Sequence, residues 1–364
     1  MIHLGGDIMR NEKTSAKKGL PFRKAVALTM TLTLMLGITT YSCPSADAWW
    51  IFGKKKDKQA KEHKRKKREV KASSVGLVPG NPPALYWKPV EKTKACVLAL
   101  HELGLYSGVY DDLGTRMAAK GVAVYAIDLR GFGGWRDVEG QDGKMDLKNT
   151  LTDVKGSVEI IKKLNPDTPV FILGEAMGGA LALQAAAEFP ELINGVVSAA
   201  PGGQHYGTVN NYVTVASSLA IGAKKAFGLG DELMDLATPK QDLRDAFRDD
   251  EMVRMDLTPK ELLACQFFMY KTKKMAKAIK NLPVLVVHGG KDGESKEEGS
   301  SDVYDGLATK DKQYLKVEDG DHYTFEDVKV NDKAFDTTLT WLNERLSSTP
   351  GSASSSTEPK TEKD

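Results

Sequence analysis

The chain has 364 residues, of which 41% are hydrophobic and 27% charged, a balance that excludes a collagen-like or wholly disordered protein. Its formal net charge of +2 is an average over unlike parts: residues 54–71 alone hold 11 basic against 3 acidic residues, so the rest is acidic and the overall balance does not indicate a nucleic-acid binder. Three cysteines, Cys43, Cys96 and Cys265, imply no disulfide framework.

At the start, Lys17, Lys18, Arg23 and Lys24 precede an apolar stretch over 25–41, and Ala46-Asp47-Ala48 supplies a small-x-small pattern. Residues 1–48 therefore read as an export signal cleaved after Ala48, with a periplasmic or extracellular mature protein. Two alternatives stay open. Lipid attachment at Cys43 is one, although Thr40 stands where leucine is usual, and an uncleaved membrane anchor over 25–41 is the other. The basic run beyond the stretch disfavours translocation, and an uncleaved segment would leave the domain facing the cytoplasm.

Residues 49–74 read as an aromatic and basic linker, beginning Trp49-Trp50-Ile51-Phe52 and continuing into the polybasic run. Apolar side chains beside basic ones suit an anionic membrane surface through residues 49–71, and a solvated linker is the plainer alternative. Export argues against nucleic acid as the partner.

Residues 75–346 carry the globular pattern. Short apolar, β-branched runs at 97–100, 122–127, 170–173, 196–199, 284–287 and 314–317 predict strands, the first five buried on both faces. Helical periodicity falls between them, over 146–164 and 178–189. Alternation of this kind predicts an α/β fold with a doubly wound, mostly parallel sheet, whose ligands belong at the carboxyl ends of the strands. Between the strand ending near Pro201 and the one opening at Pro283, residues 203–280 form a helical insertion expected to act as a lid. It holds an apolar stretch over 213–221 and a helix-like run over 262–270. Residues 347–364 are rich in Ser, Thr, Pro, Glu and Lys and read as a disordered tail.

The strand ends carry the chemistry. His101-Glu102-Leu103-Gly104 follows the first of the six predicted strands, Asp128-Leu129-Arg130-Gly131-Phe132-Gly133 the second, and Gly174-Glu175-Ala176-Met177-Gly178-Gly179 the third. The later ends are Gly289-Gly290-Lys291-Asp292 and Gly320-Asp321-His322. The third junction is shaped for a nucleophile: an apolar strand turns sharply into a helix, and glycines leave room for the turn. Alanine stands at its apex, and a methyl group cannot attack an acyl carbon.

Taken together, these motifs over about residues 85–346 resemble the α/β-hydrolase superfamily, in particular its monoacylglycerol lipase, lysophospholipase and serine aminopeptidase branch. The resemblance implies that Asp292 is the acid that orients the imidazole, His322 the general base, and Ala176 the vacated nucleophile position. It also implies an oxyanion hole from the backbone N–H groups of Leu103 and Met177. Glu102 is a second departure, standing where the family has a small glycine, and its carboxylate would oppose charge on an oxyanion. Glu175 is common in this branch and is expected to pack beneath the turn.

Loss of a triad member costs on the order of a million-fold in turnover while leaving roughly 10³–10⁴-fold over water. The expectation is therefore a catalytically impaired relative that binds an acyl-bearing or other small apolar ligand. A weak ester hydrolase using water activated by His322 and Asp292, and a surface-anchored scaffold, are the alternatives. Ser107, Cys96 and Cys265 stand on no elbow-like turn and are poor substitute nucleophiles. His101 and His288 are expected to satisfy local backbone groups, and His205 lies in a loop. No cofactor is expected, and no metal-ligand spacing is visible along the chain.

Overall fold

The computed structural model describes residues 72–141, 143–205 and 230–346. The export signal expected over 1–48, the membrane-surface stretch 49–71, the apolar stretch 213–221 and the tail 347–364 lie outside the described residues.

Eight strands form one sheet: β1 (Ser73–Val75), β2 (Ala84–Trp87), β3 (Ala95–Leu100), β4 (Val122–Ile127), β5 (Val170–Glu175), β6 (Gly195–Ala199), β7 (Val284–Gly289) and β8 (Lys312–Val317). Their order is β1-β2-β4-β3-β5-β6-β7-β8, with β3 to β8 parallel and the β1-β2 and β2-β4 pairs antiparallel. Two of these strands go beyond the hydrophobic pattern. Ser73 and Ser74, placed in the linker on composition, pair with Tyr86 and Leu85, so the ordered sheet starts ahead of residue 75. Ladder hydrogen bonds hold that edge, and a two-serine strand leaves no apolar signature to read.

The nine α-helices among the described residues are α1 (Asp111–Ala119), α2 (Leu147–Leu164), α3 (Met177–Glu188), α4 (Gly230–Ala237), α5 (Gln241–Arg248), α6 (Pro259–Met269), α7 (Thr272–Ala276), α8 (Glu297–Gly306) and α9 (Asp332–Asn343). Side chains alternate across the sheet. On β3, Cys96, Leu98 and Leu100 join the core beneath α2 and α3, whereas Ala95, Val97 and Ala99 pack with Leu113 and Met117 of α1 and Phe335 and Trp341 of α9. With both faces covered, successive residues of a strand are apolar whichever way they point, which is why the runs read as continuous.

The strand order reverses between β3 and β5, so their carboxyl ends open at a topological switch point. There the chain places His101-Glu102 and the turn at Ala176. Between β6 and β7 the described residues contribute α4 to α7. This segment is clamped to the strand ends: Arg254 N–H donates to Gly104 O at 2.7 Å, and its guanidinium reaches Gly143 O at 2.7 Å, Gly131 O at 3.1 Å and the Glu261 carboxylate at 2.8 Å. Among the described residues no helix is long and apolar enough to cross a membrane.

Candidate active site

Ala176 lies between β5 and α3 with φ 43° and ψ −108°, a left-handed conformation that costs a non-glycine residue about 1–3 kcal/mol. Its N–H donates to Ala199 O, and its carbonyl accepts from Ala180 N–H, both at 2.9 Å. The turn is built on close approach: a Cβ on Gly178 would lie 1.8 Å from Leu100 O, and one on Gly174 would lie 2.2 Å from Gly178 O. No other residue fits at either place. The apex is therefore held in the strained geometry of a nucleophile turn although its side chain is a methyl group.

His322 is completely buried. Its Nδ1 lies 2.8 Å from Asp292 Oδ2, and the other oxygen of Asp292 accepts the N–H groups of Glu294 at 2.9 Å and Ser295 at 2.8 Å. The opposite ring nitrogen, Nε2, lies 3.1 Å from Glu102 Oε1 and 3.9 Å from Glu294 Oε2. The atom that a general base would use is thus engaged by Glu102. The backbone of Glu102 is held in turn, because its N–H donates to Glu326 Oε1 at 2.9 Å.

Glu175, fully buried, accepts the N–H groups of Thr324 at 2.7 Å and of Phe325 and Glu326 at 3.0 Å each. The residue before the apex thereby ties down the loop that carries His322. His322 N–H also donates to Ala237 O at 3.0 Å, at the end of α4.

Buried charge sets the electrostatics. Burial opposes protonation of His322, but the carboxylates of Asp292, Glu102 and Glu294 outweigh it and hold the imidazole pKa well above its ordinary value. Burial also acts against the Asp292 carboxylate, and His322 with the Ser295 N–H keeps its pKa below the usual range. Glu294 is pushed up to about 8 by burial and by the charges of Glu102 and Asp292, against the pull of His322. Glu175 rises to about 8 by burial, opposed by its backbone hydrogen bonds and by His322. Burial and then Glu175 and Glu102 drive Glu326 well above the carboxylate range. Such an arrangement stabilises an imidazolium; it does not offer a free lone pair for abstracting a proton.

The other residues singled out in the sequence fall as follows. Met177 is the first residue of α3, and Leu103 follows Glu102 in the turn after β3. His101 Nδ1 lies 2.7 Å from Glu102 O, and its Nε2 accepts the Leu129 N–H at 2.9 Å; burial lowers its pKa to about 4. His288 Nδ1 lies 3.0 Å from Ser300 Oγ. Ser107 N–H donates to Asp128 Oδ1 at 2.8 Å. Cys96 and Cys265 are buried free thiols, and burial raises both pKa values. His205 lies 3.3 Å from Ser295 Oγ, beside the Asp292 loop.

Sequence reasoning missed Glu294 and Glu326. Their signal was proximity in the chain: each lies within four residues of a residue already singled out, Asp292 or His322. No metal-ligand spacing is visible along the chain, yet the fold brings three potential ligands together. Glu102, Glu294 and His322 each present one potential ligand atom, and these atoms all lie within 4.8 Å of one another. Residues about 190 and 220 positions from Glu102 leave no local spacing pattern.

The family described as serine aminopeptidase, S33, matches residues 91–329. The chain belongs to that family of α/β-hydrolases. Monoacylglycerol lipase from Mycolicibacterium smegmatis is 27% identical over 263 residues, covering 71% of this chain and 92% of the relative. Monoglyceride lipase from Mus musculus is 36% identical over 117 residues, 32% of this chain and 38% of the relative. Among solved structures, monoglyceride lipase from Saccharomyces cerevisiae in complex with a substrate analogue superposes with a TM-score of 0.62 at 20% identity, covering 78% of this chain and 98% of that one. Monoacylglycerol lipase from Paleococcus ferrophilus gives a TM-score of 0.59 at 24% identity, covering 72% and 98%. Both structures share the fold of this family member.

Proposed function

We propose that this α/β-hydrolase binds an acyl-bearing or other apolar ligand and does not turn over esters through an acyl-enzyme. The observation that carries the reading is the 3.1 Å contact between His322 Nε2 and Glu102 Oε1. In an active relative of this architecture the imidazole nitrogen would face a hydroxyl on the apex; here the apex is Ala176 and the nitrogen faces a carboxylate. Both changes act on one proton transfer, and they act in the same direction. The acyl character of the ligand is supported by the names of the relatives, which are lipases of monoacylglycerols. Hydrolysis by an activated water is the less favoured reading, because a water would have to displace Glu102 from Nε2 before it could lose a proton.

The test restores the two departures one at a time. Ala176→Ser alone should hydrolyse nitrophenyl esters no faster than the parent, because Glu102 still holds His322. Ala176→Ser combined with Glu102→Gly should exceed either single variant by about 100-fold, the order contributed by a freed base. Full recovery by Ala176→Ser alone would contradict the role given to Glu102. A fluorescent ether analogue of a monoacylglycerol, which cannot be hydrolysed, should bind the parent saturably. Failure to bind at any chain length would favour a scaffold role instead.

A further inference from the structure

We propose that Glu102, Glu294 and His322 form a binding site for one divalent cation of borderline hardness, with Zn²⁺ the best fit to the donor set. The distances suit it. Ligand atoms held about 2.0–2.2 Å from a tetrahedral zinc lie roughly 3.3 Å from one another. Nε2 of His322 lies 3.1 Å from Glu102 Oε1 and 3.9 Å from Glu294 Oε2, and the three ligand atoms all lie within 4.8 Å of one another, so closing on an ion asks for side-chain movement of the glutamates and none of the backbone.

A second observation is independent of the clustering. Glu102 is only 6% exposed, yet its Oε2 has no hydrogen-bond partner. An unpartnered buried carboxylate oxygen is costly, and a cation held by both oxygens of Glu102 would satisfy it. The imidazole is already set as a metal ligand should be: Asp292 Oδ2, at 2.8 Å, holds Nδ1 and directs Nε2 at the two glutamates. Asp292 also accepts the Glu294 N–H at 2.9 Å, so one residue orients two ligands.

Charge points the same way. Among the described residues, the ion pairs of Asp292, Glu102 and Glu294 run only to His322 and His205. His322 is thus the imidazole that all three acidic side chains share, with Asp292 at 2.8 Å, Glu102 at 3.1 Å and Glu294 at 3.9 Å. A divalent ion would replace the hydrogen between Nε2 and Glu102 and neutralise more of this charge. One nitrogen and two carboxylates match zinc or manganese better than calcium, which takes six to eight oxygens. Three protein ligands leave a fourth position open on zinc.

This inference goes beyond ligand binding and does not depend on it, since it is read by metal affinity and not by turnover or acyl binding. The full-length chain, stripped with a chelator, is titrated with ZnCl₂ in a calorimeter and melted with and without the ion. One ion per chain and a higher Tm are expected. Glu102→Gln and Glu294→Gln, close in shape to the parent residues, should each weaken binding at least about tenfold, and Asp292→Asn by about 10–100-fold. Melting of the metal-free variants establishes that they are folded. Co²⁺ should give a visible absorption band that His322→Ala abolishes. No binding at millimolar zinc, or an affinity unchanged in both glutamine variants, would overturn the site. Calcium binding as tightly as zinc would overturn the choice of ion.

Discussion

Ala176 shows that the turn and the hydroxyl are separable. The strained backbone is imposed by its surroundings, through the bond to Ala199 O and the glycine contacts of Gly174 and Gly178, and it persists when the side chain has no chemistry to perform. A residue kept at φ 43° without a catalytic reason is a stability liability. Ala176→Gly is therefore expected to stabilise the protein by about 1 kcal/mol, the relief of positive-φ strain exceeding glycine's entropy cost. Thermal unfolding reads this directly; a lower Tm would mean that the alanine methyl packs well enough to offset its backbone. Glu102 is the complementary case, a charged side chain whose backbone N–H is pinned by Glu326 and whose carboxylate is spent on His322.

At the level of elements, the site is assembled by four loops, after β3, β5, β7 and β8, that are tied together by buried polar groups. Glu175 at the end of β5 binds three successive N–H groups of the His322 loop, and α4 receives the His322 N–H. Lys240, just beyond α4, pairs with Asp321 at 3.1 Å and with Asp327, bracketing the same loop. Arg254 performs the equivalent task for the turn after β3. Removing it leaves the carbonyls of Gly131 and Gly143 and the Glu261 carboxylate without this donor, so Arg254→Ala should lose about 2–4 kcal/mol in urea unfolding. Arg254→Lys should recover less than half of that, because an ammonium cannot reach all of these acceptors at once. A neutral Arg254→Ala substitution would show that the insertion docks without help from this guanidinium.

For the molecule as a whole, the central sheet was legible because strands β3 to β7 are buried on both faces. Runs such as 122–127 and 170–173 have no polar residue to obscure them, and Asp146 marks the start of α2, where its side chain accepts the Asn149 N–H. The edge was not legible: β1 contains two serines, and β2 has only four residues behind two prolines. Of the site, Asp292, His322 and Ala176 could be named from motif order. The direction of the Glu102 carboxylate could not, since it depends on a partner 220 positions away. Glu175 illustrates the same limit: its place in the turn was readable, but its three bonds belong to a loop some 150 residues later. Long-range polar contacts leave no periodicity in a chain, whereas burial does.

The claim that His322 is held out of acyl chemistry is tested most directly by ester turnover of the parent beside His322→Ala, in chelator so that no bound ion contributes. The structure predicts equal rates, both at the level of an unrelated control protein, because the imidazole already sits against Glu102. A parent rate well above the control that collapses in His322→Ala would contradict it, and would make His322 a working base despite the carboxylate 3.1 Å away.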